Sequence, residues 1–393
     1  MAGQQIRERE PAPSLGRLVF LDVLRVAIIA MVIAHHAAQA YGPTGGTWPL
    51  TDRSTSDWFR PFYTVNAAVG LGLLFLVAGY FVPRSYDRKG PGRFLRDRWM
   101  RIGVPLAFFA LVVHVPVFYL IESQPPLGEF VRSLYAGGWF GVYLHLWFLG
   151  HLLLYSAVYV AWRRVSDRVD RVPRRWRPPG HPAILVFAVG LAAVTWVVRW
   201  WYSVDEWVPL FGVLAAEVAK LPQYVSLFVL GIAAYRGDWF RRIPTMVGAI
   251  WLAVGLLATL VMVAVQAFGR WDDVLATGGV DARSLLRSTL EAFICAGLSV
   301  GLVVLFRQVF HKPSRLLAAL ATASYAAYIL HLWIVIGLQV AIEGLELPAF
   351  VKFGVVTVLG IVLAFGIGHL SGKVPGVRLL LGTGSPKVGK AMR

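Results

Sequence analysis

The apolar residues of this chain fall into ten blocks of about 20, the length a helix needs to cross the hydrocarbon core of a bilayer. That pattern leaves few folds open. A chain in hydrocarbon must satisfy its backbone N–H and C=O groups internally, so apolar blocks of this length read as spanning helices. The approximate spans are 18–40, 61–82, 102–121, 142–162, 183–201, 221–235, 244–268, 286–306, 322–341 and 349–370. The sixth is the least regular. It is short, Pro222 lies at its start, and Pro209, Glu217 and Lys220 interrupt the apolar residues before it. With 57% hydrophobic and only 15% charged residues among 393, a water-soluble enzyme is excluded. The expected fold is an all-α, polytopic transmembrane helix bundle. Residues 1–17 form an N-terminal tail, 18–371 the membrane domain and 372–393 a basic C-terminal tail. The first 17 residues are polar and the first apolar block carries Arg25, which argues against a cleaved leader. With no internal repeat and only short external loops (41–60, 122–141, 202–220, 269–285 and 342–348), chemistry is expected inside the bundle or at its mouth.

The net charge of +17 is arranged as a topology signal and not as a nucleic-acid surface. Lys and Arg concentrate in the N-terminal tail, in every second connection (84–101, 163–177, 236–242, 307–315) and in the C-terminal tail. The connections between these carry few. Loops rich in Lys and Arg stay in the cytoplasm, so both termini are expected there. The lone Cys295 sits in an apolar block, can form no intrachain disulfide, and reads as packing.

The first span holds the most informative pair. Arg25 and His36 are eleven positions apart. At about 100° per residue they project from one face, separated by a rise of roughly 16 Å. A cation and an imidazole at two depths of one spanning helix are costly unless they face a cavity or a partner. The pattern suits a charge anchor at one level and an acid–base group at another. Asp22, three residues before Arg25, is placed to pair with it. His35 is adjacent to His36 and points about 100° away, so the two are not expected to face one cavity. Gln39 follows His36 by three residues as a polar neighbour.

Three further segments carry polar or aromatic groups near the membrane. Phe94 to Pro105 brings arginines directly into the third span, and Arg98 and Arg101 have a helical spacing suited to a phosphate-rich group. The fourth span opens His145-Leu146-Trp147-Phe148-Leu149, an interfacial aromatic belt or the edge of a site. The ninth holds Ser324, Tyr325, Tyr328 and His331; Tyr328 and His331, three apart, share a face. There is no phosphate-binding glycine loop, nucleophile elbow, dinucleotide fingerprint or metal-spaced His/Cys cluster.

Taken in order, Leu21-Asp22-Val23-Leu24-Arg25 with His36, Phe75 to Tyr80, Arg96 to Pro105, His145 to Leu149, and Ser324 to His331 resemble the acyltransferase 3 family of bacterial inner-membrane proteins that modify carbohydrates. The double His, the His-Leu-Trp-Phe-Leu string and the Arg-Ile-Gly-Val-Pro string look closest to its glucan-succinylating branch. Ala78 stands where the family often has Ser before the glycine, and no hydrolase-like domain is fused. The resemblance implies an O-acyltransferase of the cytoplasmic membrane. It implies acyl-CoA as donor substrate, with no permanently bound cofactor and no metal, and a glycan or glycolipid hydroxyl as acceptor. In that reading His36, with Asp22, is catalytic. Arg25, Arg98 and Arg101 hold the CoA phosphates, and His145, Trp147, Tyr328 and His331 contact substrate. The partners expected are acyl-CoA, the acceptor and the lipid bilayer, with no nucleic acid. The residues alone leave two other readings: a transporter using Asp22, Arg25 and His36 as a substrate or proton path, and a scaffold without chemistry. The first lacks a matching repeat, and the second leaves the Arg25–His36 register unexplained.

Overall fold

A computed structural model describes residues 18–43, 48–121, 126–133, 142–166, 176–268 and 276–381. Among these, ten helices are long and apolar enough to cross a membrane: α1 (Val19–Ala38), α2 (Phe59–Lys89), α3 (Pro91–Val117), α4 (Leu144–Val165), α5 (His181–Val198), α6 (Val218–Gly237), α7 (Thr245–Phe268), α8 (Ala282–Val309), α9 (Arg315–Ile342) and α10 (Ala349–Ser371). The tail 1–17, residues 382–393 of the C-terminal tail and much of the 122–141 and 163–181 connections lie outside the described residues.

Every span expected from the apolar blocks is a helix, but several run past the apolar part. α2 continues through Pro83 to Lys89, and α3 begins at Pro91 where a span starting at 102 was expected. Gly90 alone separates them, with φ +73°, a left-handed backbone that glycine adopts without a Cβ clash. Pro91 then opens α3 at the position where its missing N–H is harmless. The arginines of 84–101 therefore ride on helical extensions and not on a loop. α3 is irregular, with π-helical turns at Trp99–Gly103 and Phe108–His114. Pro105 has no N–H to give the Arg101 carbonyl in the i→i−4 pattern, and the Tyr325 hydroxyl donates to that carbonyl at 2.7 Å.

The 202–220 connection holds what the apolar pattern did not announce, a two-stranded antiparallel hairpin of β1 (Trp207–Leu210) and β2 (Leu214–Glu217). Pro209 cannot continue a helix and sits in the first strand, where a two-stranded ribbon tolerates a missing ladder N–H.

The bundle is built on α2, which packs along α6 and also touches α1 and α8; α1 and α10 flank α9, and α8 lies between α7 and α5. Gly79 and Gly231 let α2 and α6 touch backbone to backbone: a Cβ on Gly79 would strike the Phe228 carbonyl, and one on Gly231 the Leu76 carbonyl. Small residues at such crossings replace the hydrophobic driving force that lipid removes. At one end of the bundle Asp87 binds Arg163 at 3.0 Å and Arg236 at 2.9 Å, tying α2, α4 and α6 together on the basic side. At the other end Lys352 holds Asp52 at 2.7 Å, clamping the connection after α1 onto α10.

Candidate active site

The site grows from the seam between α1 and α9. Arg25 Nη2 donates to Asp22 Oδ1 at 3.2 Å and to the Ala321 carbonyl of α9 at 2.9 Å. Eleven residues along α1, the His36 ring lies 3.2 Å from Nε2 of His331, which is ten residues past Ala321 on α9. Both side chains thus face α9 at different depths. The end of α1 is held in place as well. The Gln39 and Tyr41 N–H groups turn back to the carbonyls of His36 and Ala38, and side chains from other helices add to them: Gln339 Nε2 donates to His36 (3.2 Å) and Ala37 (3.1 Å), and Tyr63 donates to Ala38 (2.6 Å). Trp48 Nε1 in turn holds Gln339 Oε1 at 3.0 Å and its ring covers His36, with centroids 5.6 Å apart.

The hydrogen bonds fix the imidazole tautomers. A carbonyl oxygen only accepts, so the ring nitrogen facing it carries the proton. His36 Nδ1 lies 3.0 Å from the Val32 carbonyl, one turn back, and 3.2 Å from His331 Nε2. His331 Nδ1 donates to the Tyr328 carbonyl at 2.6 Å, leaving its Nε2 to accept. His145 Nε2 donates to the Ile329 carbonyl at 3.0 Å. His36 therefore keeps a lone pair on Nε2, and that nitrogen has no hydrogen-bond partner among the described residues. The Tyr328 hydroxyl donates to the His145 carbonyl, which locks α9 to the start of α4. Leu144, just before His145, has φ +44°, an uncommon backbone for a bulky residue and a mark of an over-determined site.

His36 lines a cavity of about 240 Å³. α1 contributes His35 and His36, with Gln39 just past its end; α2 contributes Tyr63, Thr64 and Asn66; α4 contributes His145 and Trp147; and α9 contributes Tyr328. The lining is completed by Trp207 and Glu217 of the hairpin, Asp205 just before it, Tyr224 of α6 and Arg287 of α8. Burial raises the Glu217 carboxyl above the ordinary carboxylate range, with nearby Lys220 opposing the shift. The volume is below the roughly 300–1,000 Å³ of pockets that bury a drug-sized ligand. It suits the reacting ends of two substrates and not a whole nucleotide-bearing donor.

The structure sorts the residues singled out from the sequence. His36, His145, Trp147 and Tyr328 come together on the cavity. His331 stands directly behind His36 and does not line it. Asp22 is brought to Arg25 at the opposite end of α1, so it does not orient His36 as a catalytic carboxylate would; His331 and the Val32 carbonyl hold that ring. Arg25 lies outside the cavity, as do Arg98, which stacks over Phe94, and Arg101, whose carbonyl Tyr325 holds one turn from Ala321. His35 is a correction. It lines the same cavity as His36, because its ring turns to Tyr63 and Phe62 of α2 while His36 turns to α9, and the cavity opens between those helices.

Three features escaped the sequence. His114, at the end of the second π-helical segment, donates from Nδ1 to the Val142 carbonyl at 2.7 Å and lies 6.0 Å, ring to ring, from His145. Gln339 braces the end of α1. Glu291 of α8 binds Arg199 and Lys220 at 2.6 Å each and Arg287 at 2.9 Å behind the cavity wall. The helical spacing of Arg287 and Glu291, four apart, was the one signal present. Among the described residues, no three His, Cys, Asp or Glu side chains converge as a metal-ligand set. His36, His145 and His331 each give a ring nitrogen to a backbone carbonyl.

The arrangement is an imidazole-lined cavity inside a helix bundle, with the Arg25–Asp22 ion pair at the other end of α1. Residues 18–369 match the Acyl_transf_3 family, described as an acyltransferase domain. The chain belongs to this family. Its described helices make it a multi-pass membrane protein built on that acyltransferase domain. Glucans biosynthesis protein C of Salmonella paratyphi A and that of Salmonella agona are each 23% identical to it over 235 residues. Those alignments cover 57% of this chain and 59% of each relative, so the chain spans about three-fifths of the relatives it matches. No solved structure matches. Family membership gives the Arg25–His36 seam, the Gly79 crossing and the His145–Leu149 turn a common context, since all three lie within the matched residues.

Proposed function

We propose that this acyltransferase moves an acetyl, succinyl or similar group from cytoplasmic acyl-CoA to a hydroxyl of an extracytoplasmic glycan or glycolipid. It would work in the cytoplasmic membrane of a bacterium with both termini inside. The observation that carries the reading is the setting of the His36 ring: Nδ1 faces the Val32 carbonyl and His331 Nε2, Nε2 has no hydrogen-bond partner among the described residues, and the residue lines the cavity, so Nε2 is the nitrogen left to take a proton. In the reaction His36 Nε2 takes the proton of the acceptor hydroxyl as its oxygen bonds to the thioester carbonyl carbon. The C–S bond then breaks, and the same proton passes to the departing CoA sulfur. Arg25, with Arg98 and Arg101 near α9, would hold the CoA phosphates at the basic end, since arginine forks pair with phosphate oxygens. The rise of roughly 16 Å between Arg25 and His36 is a span for the thin pantetheine arm. The glucan relatives support a sugar acceptor.

The test uses purified protein in nanodiscs with radiolabelled acetyl-CoA or succinyl-CoA and a neutral gluco-oligosaccharide. Label is expected in the sugar, with free CoA released one for one. Arg25→Lys keeps the charge but loses the fork, so CoA should bind about tenfold more weakly, the scale of one charge-assisted hydrogen bond. Inactive Arg25→Ala protein with unchanged CoA affinity would make Arg25 a structural partner of Asp22 instead.

Sidedness is checked separately. Cys295 is buried and is replaced first. Thr55→Cys, in the connection after α1, should then react with an impermeant thiol reagent in intact cells. Arg177→Cys, before α5, should react only after the membrane is opened. The reverse pattern would place His36 on the cytoplasmic side and end the cross-membrane scheme.

A further inference from the structure

The hairpin is the one strand structure among the described residues, and it contributes Trp207 and Glu217 to the cavity that His36 lines. Trp207 and Glu217 are direct cross-strand partners, so their side chains leave the same face of the ribbon, and both line the cavity. Behind Trp207 stands an aromatic wall. Trp147 meets Trp207 edge to face with ring centroids 5.3 Å apart, and meets Tyr224 at 5.4 Å. Trp147 and Tyr224 are buried, whereas Trp207 is half-buried.

Polar groups ring this wall. Asp205 lines the cavity with φ +67°, an unfavourable backbone held by its own N–H donating to Glu217 Oε1 at 3.1 Å. Asn66 of α2 is 8% exposed, lines the same cavity, and its Oδ1 has no hydrogen-bond partner among the described residues. A buried acceptor left in this state is destabilising until a donor reaches it. Arg287, the cation on this wall, has its guanidinium on Glu291.

Aromatic faces edged by carboxyl and amide oxygens match the chemistry of a neutral sugar. Its ring offers an apolar C–H face for stacking and equatorial hydroxyls that donate. A phosphorylated or carboxylated acceptor would meet the oxygens of Asp205 and Glu217 instead. We propose that the hairpin is the acceptor subsite: a neutral sugar ring packs on Trp207 in front of Trp147 and Tyr224, donates hydroxyl protons to Asp205, Glu217 and Asn66, and presents one hydroxyl to His36. This rests on the reading that an acyl acceptor meets His36, and it adds where and through what chemistry that acceptor is held.

The test separates binding from transfer. Wild-type, Trp207→Ala, Trp207→Phe and Asn66→Ala proteins in nanodiscs are titrated with an end-labelled neutral gluco-oligosaccharide, and separately with CoA. Trp207→Ala should weaken oligosaccharide binding about tenfold, the scale of one lost aromatic contact, with CoA affinity unchanged. Trp207→Phe should restore most of it, and Asn66→Ala should fall between. In turnover the same change should appear in the acceptor KM and not in the donor KM. Equal oligosaccharide affinity in wild type and Trp207→Ala, or no binding by the wild type, overturns the subsite. Binding that responds to Trp207 without any acyl transfer supports the subsite and counts instead against the acyl-transfer reading.

Discussion

His36→Ala should lower acyl transfer by roughly 10²- to 10⁴-fold, the contribution of a positioned general base, while the protein inserts and accumulates like wild type. The imidazole is half-buried on the cavity, and its removal leaves the backbone of α1 held by Gln339 and Tyr63. His35→Ala should act more weakly. Its ring packs on Tyr63 and Phe62 and edge-on against His36, whereas the ring that meets His331 across the α9 seam is that of His36. His331→Ala should fall between the two, because the Val32 carbonyl still holds His36 Nδ1–H after the second contact is gone. Rates are measured at saturating donor, alongside CoA binding, so that chemistry is separated from affinity. Near-normal transfer by His36→Ala with loss in His35→Ala would move the base to the neighbouring ring.

The parts of this site that could be read from sequence are those set by local periodicity. Helical geometry alone puts Arg25 and His36 on one face, and their contacts with Ala321 and His331 use that face. Tyr328 and His331 share a face for the same reason. The ten spans followed from apolar length. What escaped depended on partners far along the chain. Gln339 reaches His36 across 303 positions and Lys352 reaches Asp52 across 300, and no spacing rule connects them. The hairpin was hidden because its residues are few and contain Pro209, a poor strand residue outside an edge. The early start of α3 was hidden because an arginine-rich stretch reads as a loop until Gly90 and Pro91 are seen as the end of one helix and the start of the next. Asp22 drew attention as a carboxylate on the His36 helix, yet fourteen positions separate the two, and Arg25 is the cation within reach.

Glu291→Ala should destabilise the folded protein by about 3–5 kcal/mol, the usual penalty for removing one partner of a buried ion cluster. The carboxylate is 3% exposed, with Arg199 and Lys220 on one oxygen and Arg287 on the other. Arg199 follows the end of α5, Lys220 lies in the first turn of α6, and Arg287 is one turn back on α8, so a single side chain joins three helices. Its removal leaves three cations in a low-dielectric interior without that counter-charge, where each is far more costly than at a surface. Glu291→Gln keeps the shape and one acceptor but not the charge, and should lie nearer to Ala than to wild type. Asp281→Ala is the control. That carboxylate caps α8 by accepting from the Ser284 N–H at 2.9 Å and pairs with Arg283 at the surface, so its loss should shift stability only slightly. Thermal unfolding in nanodiscs, followed by tryptophan fluorescence, and the amount of protein in the membrane are the measurements. A wild-type melting curve for Glu291→Ala would show that the cluster is not a structural clasp.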